Sequence, residues 1–398
     1  MTDIGALHER LLAAASLKGP EAAVRIRATY EPIGGAYDKV SPPTYPIGDD
    51  KTPPYLLETR HGPHGEEETV VLDSRQSQAN RCEEALQTAI DSGDLVLPHL
   101  VLRTQAHSRA LRITSLEAPH RSRDAYFRDA ETDEGVRFDE TAVGQALKAV
   151  TPQDASALYR HAVTDLVYGV WDSHRKLRLA PRFPRVYTSE TVGYGVVRGR
   201  RAAGRADLVV SGAEQVLETE DRSFTLPGEK AKGTKKLSEL GHGSIPPSDV
   251  VTRNNQTVLA PGGVTVRLIQ RTASIGFAGI ARLTFGADWS AAATSAARAV
   301  IASLALAGDR LAFARPSVFY RSGCELLLLD EELAWVGSGS EEPLELEASD
   351  ALALVARAVE HAEDSGVTWH PDPVELRPHA ALQAVIEKSF FKVPGEEE

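Results

Sequence analysis

Thr69-Val70-Val71-Leu72, followed by Asp73-Ser74-Arg75-Gln76-Ser77-Gln78-Ala79-Asn80-Arg81-Cys82-Glu83-Glu84, is the stretch that decides how this chain folds. Its first four residues are apolar or β-branched and predict a buried strand. From about Ser77 to Ser92, Ala79, Cys82, Leu86, Ala89 and Ile90 recur at three- and four-residue steps. That spacing predicts a helix, with Gly93 as its stop. Ser77 is the expected N-cap, because its hydroxyl can accept a bond from an orphan N–H of the first turn. The junction is crowded with small or planar hydrogen-bonding side chains, among them Gln76, Ser77, Gln78, Asn80 and Arg81. A helix N-terminus carries free N–H groups and a partial positive charge, which suits a phosphate. Amides and a guanidinium beside it suit a sugar-phosphate backbone or base edges. The plainer alternative is a well-capped surface helix.

Working outward, residues 6–17 read as a short helix, and Val24–Glu31 alternates as a half-buried strand does. Pro32–Pro54 is rich in Pro and Gly and reads as loop. His99–Arg103 and Leu111–Leu116 are expected strands joined by a polar turn. Residues 118–185 break this rhythm and read as an insertion with a helix around Asp154–Tyr168. Val186–Val197 returns to strand character, and the polar, Gly-rich residues 212–250 suit a loop or hairpin. Val264–Gln270 and Ile280–Phe285 are expected strands, and Ser290–Ala307 an alanine-rich helix ended by Gly308. Ser317–Tyr320 and Glu325–Asp330 are strand-like. Without its insertions the order is strand, helix, strand, then strand, helix, strand. This predicts an α+β fold, a ferredoxin-like or RRM-like antiparallel sheet with helices on one face.

The chain has 398 residues, 42% hydrophobic and 25% charged, which suits one elaborated globular domain or two ordinary ones. Cys82 and Cys324 are its two cysteines and have no metal-ligand spacing. They argue for a reducing cytoplasm and against a disulfide framework or zinc knuckle. The N-terminus has no basic region leading into an apolar core, so no secretory leader is expected. The longest apolar stretch, Ala296–Ala307, contains Arg298 and Ser303 and reads as too short to span a bilayer. The net charge of −12 argues against nucleic-acid binding until it is located. Residues 325–398 carry 18 acidic and 4 basic side chains, leaving 38 acidic and 40 basic in residues 1–324. Residues 160–205 hold ten basic side chains against Asp165, Asp172 and Glu190. Local basic clusters form an electrostatic footprint whatever the total charge. The predominance of arginine favours bidentate phosphate contacts.

Three further polar blocks could carry chemistry: Glu117–Asp129, Gly169–Arg175 and Pro181–Arg185. Read as an enzyme, His120 with Asp124, or His174 with Asp172, could form an acid–base pair, with Ser122 or Ser173 as nucleophile. No G-x-S-x-G, H-E-x-x-H or Walker sequence accompanies them. Read as a metal site, they hold too few ligands among too many arginines. Read as a binding site, Arg and His next to Trp171, Tyr126 and Phe127 suit phosphates and stacked bases. The alternative places Trp171 and Phe127 in the core and the arginines on a solvated face. Gly276-Phe277-Ala278-Gly279 lacks the leading basic residue and second aromatic pair of an RNA-stacking strand. With aromatics at 6%, gripping a backbone is the better expectation.

The blocks Leu72-Asp73-Ser74-x-x-Ser77-Gln78-Ala79-Asn80-Arg81-x-Glu83, His120-Arg121-x-x-Asp124-Ala125-x-x-Arg128-Asp129 and Gly169-x-Trp171-Asp172-Ser173-His174-Arg175 occur in that order. With a closing Tyr320-Arg321-Ser322-Gly323-Cys324-Glu325-Leu326, the chain from about residue 20 to about residue 330 resembles the Csb-type RAMP proteins of CRISPR systems. These are the Cas-seven-type backbone subunit of the type I-G (formerly I-U) Cascade effector. The resemblance implies an RRM-like palm over residues 1–330 with inserted fingers at about 118–185 and a thumb at about 212–262. It leaves 331–398 as an acidic, partly helical extension. It implies a cytoplasmic, non-catalytic subunit that needs no cofactor or metal. Its partners would be CRISPR RNA, target DNA, further copies of itself and other Cascade subunits, with no membrane. Gln76, Ser77, Gln78, Asn80 and Arg81 would line the RNA path. His120, Arg121, Arg123, Arg128, Trp171, His174, Arg175 and Arg182 would hold phosphates, bases or the neighbouring copy. The alternative within the same resemblance is a RAMP endoribonuclease that processes precursor CRISPR RNA or cleaves target RNA. An ordinary metabolic enzyme is the reading outside it.

Overall fold

The computed structural model describes residues 2–45, 55–62, 65–107, 109–172, 181–208, 212–219, 224–226, 233–253 and 256–390. The first half contributes α1 (Ile4–Ala14), β1 (Glu21–Pro32), β2 (Leu57–Gly62), β3 (Gly65–Asp73), α2 (Arg75–Ser92), β4 (Leu100–Ala106) and β5 (Arg109–Thr114). The second contributes β6 (Tyr187–Tyr194), β7 (Leu268–Gly276), α3 (Ala291–Phe313), β8 (Ser317–Arg321), β9 (Cys324–Gly337), α4 (Ala348–Asp364), β10 (Val374–Pro378) and α5 (Ala380–Phe390).

The main sheet runs β2-β3-β6-β7-β1-β9-β8 with every neighbour antiparallel. Within it, β1-α2-β6 and β7-α3-β9 form two strand–helix–strand units, and their strands lie in the order β9-β1-β7-β6. That is the ferredoxin-like arrangement, and the fold is α+β. β1 shows why the sheet has two faces. Val24, Ile26, Ala28 and Tyr30 are buried, while Arg25, Arg27 and Thr29 point to the open side. Arg27 pairs across to Thr272, and Thr272 to Glu190, so the open face is polar in this row.

Several elements differ from the sequence expectation. The strand expected over Val264–Gln270 is β7, shifted to Leu268–Gly276, and Ile280–Phe285 is not a strand. Residues Phe277–Ala281 form a short helix instead. β7 was misplaced because its inward set, Ile269, Arg271, Ala273 and Ile275, contains an arginine. Arg271 is fully buried and pairs with Asp309 on α3 and, at 3.7 Å, with Glu331 on β9. A buried charge is tolerated only when paired in this way.

Gly308 does not end α3, which runs five residues further to Phe313. A Cβ at Gly308 would lie 2.1 Å from the Tyr168 hydroxyl and 3.2 Å from Cys82 Cβ. The glycine lets the insertion and α2 approach the helix. By length and composition the 23-residue α3 could cross a membrane. It is mostly buried and packs against α2 and α4, as the core helix of this fold does.

The largest difference is at the C-terminus. The boundary expected at residue 331 falls inside β9, and the acidic segment is woven into the body rather than appended to it. α4 packs on α3 and α1. β10 pairs in parallel with β4, Val374 opposite Leu100, and antiparallel with Ala130–Glu131. It thereby completes the sheet of the region between α2 and β6. The segment expected as a thumb from residue 212 rises earlier, where Val197–Arg200 pairs with Pro261–Thr265. Above that stem Ala203–Arg205 pairs with Ile245–Ser248.

Candidate nucleic-acid interface

Asp73 ends β3 with its carboxylate fully buried. Ser77 Oγ donates to its Oδ1 at 2.8 Å, Gln78 Nε2 to Oδ2 at 2.6 Å and Arg81 Nε to Oδ2 at 2.9 Å. Arg321 Nη2 donates to Oδ1 at 3.4 Å, which brings the closing motif to the first. The helix therefore starts two residues earlier than expected. Ser74 is the N-cap and its side chain accepts from Ser77 N at 3.4 Å, because the Ser77 hydroxyl is committed to Asp73. Gln78 is wholly buried, and its Oε1 accepts from Ser189 Oγ at 2.7 Å and Arg271 Nε at 3.2 Å. Arg81 donates to Tyr320 O at 3.0 Å and lies 4.7 Å over that ring. Outward the helix start presents Arg75, Gln76 and Asn80, with Ser77 half-buried.

The second block is anchored by Arg121. Its Nε and Nη2 donate to Glu83 Oε1 and Oε2 at 2.6 and 2.7 Å, and its Nη1 to Gly169 O at 3.0 Å. Its backbone lies in the left-handed region, φ +52°, rare for a residue with a Cβ. Burial pushes the Glu83 carboxyl up to about 7, against the opposing pull of Arg121. Arg123 is buried and donates to Leu147 O, with Nη1 3.9 Å from Asp172. Arg128 pairs with its neighbour Asp129 at 2.6 Å.

Two of the groups considered for catalysis, Asp124 and Ser122, have structural partners. Asp124 accepts the backbone N–H of His120 at 3.0 Å and of Tyr126 at 3.1 Å, capping the Ala125–Arg128 helix. Ser122 Oγ donates to Asp165, whose carboxyl burial pushes up to about 6. Ser173, His174 and Arg175 lie outside the described residues.

His120, Trp171 and Arg182 come together. They line an open groove with Arg121, Pro184 and Arg185. Residues Val170–Trp171 pair with Arg182–Phe183 as a short ribbon, and the Arg182 guanidinium stacks 3.9 Å from the Trp171 ring centroid. Trp171 is 47% exposed, so it is not a core residue, whereas Phe127 is fully buried. Arg185 is half-buried, and its pKa is lowered by burial and then by the neighbouring charges of Arg121 and Arg75. Arg75 in turn lines a polar groove with Thr188, Gln270, Thr272 and Ser274 on the sheet. A cationic path thus runs from the sheet past the start of α2 to the Trp171 ribbon. Arg75, Arg182 and Arg185 have no ion pair among the described residues. Arg75 and Arg185 were not among the expected site residues. Arg75 could have been found as the first helical residue with no acid within one turn after it, since positions 78 and 79 are Gln and Ala.

Residues 24–198 match the model of a family described as CRISPR-associated protein GSU0053, which is less than half of the chain. The block at the start of α2 and the segments that line the Trp171 groove fall inside that span, and the closing Tyr320-Arg321 segment falls outside it. No curated relative matches the chain. Among solved structures, Csc2 of Thermofilum pendens is 11% identical, covering 98% of this chain and 94% of that chain with a TM-score of 0.27.

Proposed function

We propose that this chain is a guide-RNA-binding subunit of a CRISPR-associated effector, of the type I backbone kind that its motif blocks resemble. One observation carries the reading. Three segments inside the family match, Pro119–Arg121, Tyr168–Trp171 and Arg182–Arg185, line one groove, and its Arg182 and Arg185, with Arg75 on the neighbouring sheet groove, have no ion pair among the described residues. Such a track suits the phosphates of a single strand. The stacked Trp171 and Arg182 offer a flat surface for a base or sugar beside it. Sequence, in this reading, would be read by pairing of the guide with target DNA. In this reading the protein binds rather than cleaves, acts in the cytoplasm, and works with further copies of itself and with other effector subunits.

Buried Asp73 and Gln78 and half-buried Arg81 and Arg121 serve the function, in this reading, by holding the groove's walls in register. Binding of a labelled repeat–spacer RNA at several salt concentrations tests the assignment. Arg75→Ala, Arg182→Ala and Arg185→Ala are each expected to weaken binding and to lower the salt slope by about 0.7 per lost phosphate contact. Unchanged binding in all three contradicts it.

A further inference from the structure

The groove beside Arg75 lies on the open face of the main sheet, and its floor is mostly of uncharged hydrogen-bonding groups. Gln270 and Thr272 project from β7 on the side opposite its buried residues, because alternate positions of a strand share a face. The register sets Thr272 directly across from Glu190 on β6, and Ser274 across from Thr188, whose hydroxyls bond each other at 3.0 Å. Glu190 Oε2 accepts from Arg60 Nη1 at 2.8 Å. Its Oε1, like the side chains of Gln270 and Thr272, has no hydrogen-bond partner among the described residues. Tyr194 is the one aromatic in the lining, so sugars rather than stacked bases are the expected occupants.

We propose that Glu190, Thr272 and Gln270 tell ribose from deoxyribose in the bound strand, an inference that deepens the guide-binding reading and rests on it. With a phosphate at Arg75, the adjoining sugar lies over this patch. A carboxylate on such a path repels the phosphates and is useful only where the strand offers it a donor. Inside a nucleic-acid strand the 3′ and 5′ oxygens are esterified, so the 2′-hydroxyl is the one donor on the sugar, and it also accepts. It donates to Glu190 Oε1 and accepts from the Thr272 hydroxyl or the Gln270 amide beside it. A DNA strand leaves the carboxylate facing its phosphates with nothing in return.

The test measures binding of the full chain to one labelled strand in three forms. These are RNA, the same sequence with deoxyribose and deoxyuridine, and the same sequence with 2′-fluoro sugars, whose fluorine cannot donate. RNA is expected to bind about tenfold or more tightly than either, the worth of one hydrogen bond to a charged group. Glu190→Gln should narrow that ratio chiefly by strengthening DNA, and Thr272→Val combined with Gln270→Leu by weakening RNA. Melting curves check that the variants fold, and the 2′-fluoro strand puts the same question to the unaltered protein. Equal binding of RNA and the 2′-fluoro strand, or a ratio that survives both variants, overturns the sugar assignment, while the guide-binding reading still stands if Arg75→Ala weakens all three strands. Indifference of all three to Arg75→Ala overturns both. Altered self-association of the variants with an unchanged ratio would make this face a protein contact and likewise overturn the assignment.

Discussion

Arg121 holds Glu83 through two hydrogen bonds of 2.6 and 2.7 Å while its remaining nitrogen donates to the carbonyl of Gly169 at 3.0 Å. One side chain thus ties together the three polar blocks, which are far apart in sequence. Glu83 belongs to α2, Arg121 to the turn after β5, and Gly169 to the ribbon that presents Trp171. Both charges are largely withdrawn from water.

The arginines of the groove should therefore separate into two classes. Arg121→Ala leaves Glu83 buried without its cation and is expected to cost about 3–5 kcal/mol of stability. Arg182→Ala is expected to leave stability within about 0.5 kcal/mol and to weaken RNA binding. Denaturant unfolding and RNA titration of both variants check this. Equal loss of stability in the two would dissolve the distinction.

Asp73 should behave like Arg121. It is the acceptor for Ser77, Gln78, Arg81 and Arg321, so Asp73→Ala removes the centre of a buried network linking α2 to β8. A loss of about 3–5 kcal/mol is expected. A thermal melt within a degree of the parent protein would show that the network is dispensable.

Gly308 offers a paired test of packing. Its replacement by Ala sets a methyl 2.1 Å from the Tyr168 hydroxyl, and overpacking of this kind costs about 1–3 kcal/mol. Among the described residues that hydroxyl has only the weak Cys82 thiol beside it, so Tyr168→Phe should be tolerated alone and should restore most of the loss in the double variant. Additive losses in the double variant would place the clash elsewhere.

Acid should loosen the attachment of the C-terminal segment. His161 stacks on His370 with ring centroids 4.6 Å apart, and burial, followed by His370 and Arg160, lowers its pKa to about 4. The folded state therefore binds fewer protons than the unfolded one. This contribution to stability is fully present above the ordinary histidine value near 6.5 and is lost as pH falls through about 4. His8, against His361 on α4, is lowered in the same direction, first by burial. His161→Phe should flatten the fall in melting temperature between those two pH values. An unchanged slope would remove His161 from the explanation.

How far the sequence could be read depended on how local the cause was. The βαβ pair was legible because β1, α2 and α3 each carry their own period, and Gly93 does close α2 in the left-handed conformation, φ +81°. β7 was misplaced because Arg271 interrupts its inward set, and the ion pair that makes this arginine tolerable comes from Asp309 and Glu331 on other elements. The C-terminal segment looked detachable because its acidic surface dominates its composition. Its docking rests on a parallel pairing, Val374 with Leu100, that no local pattern announces. In the groove, the motif blocks marked the right places, but the residue types alone could not divide their arginines. Arg81 and Arg121 find carboxylates inside the fold, whereas among the described residues Arg182 stacks on Trp171 and has no ion pair.

The most direct test of the guide-binding reading is to purify the full chain after coexpression with a repeat–spacer array and its neighbouring effector subunits, and to sequence the nucleic acid that comes with it. The reading predicts discrete CRISPR RNAs, lost when Arg75, Arg182 and Arg185 are replaced together although the protein still folds. Protein free of nucleic acid, or bound to RNA of random sequence that survives the triple replacement, would contradict it.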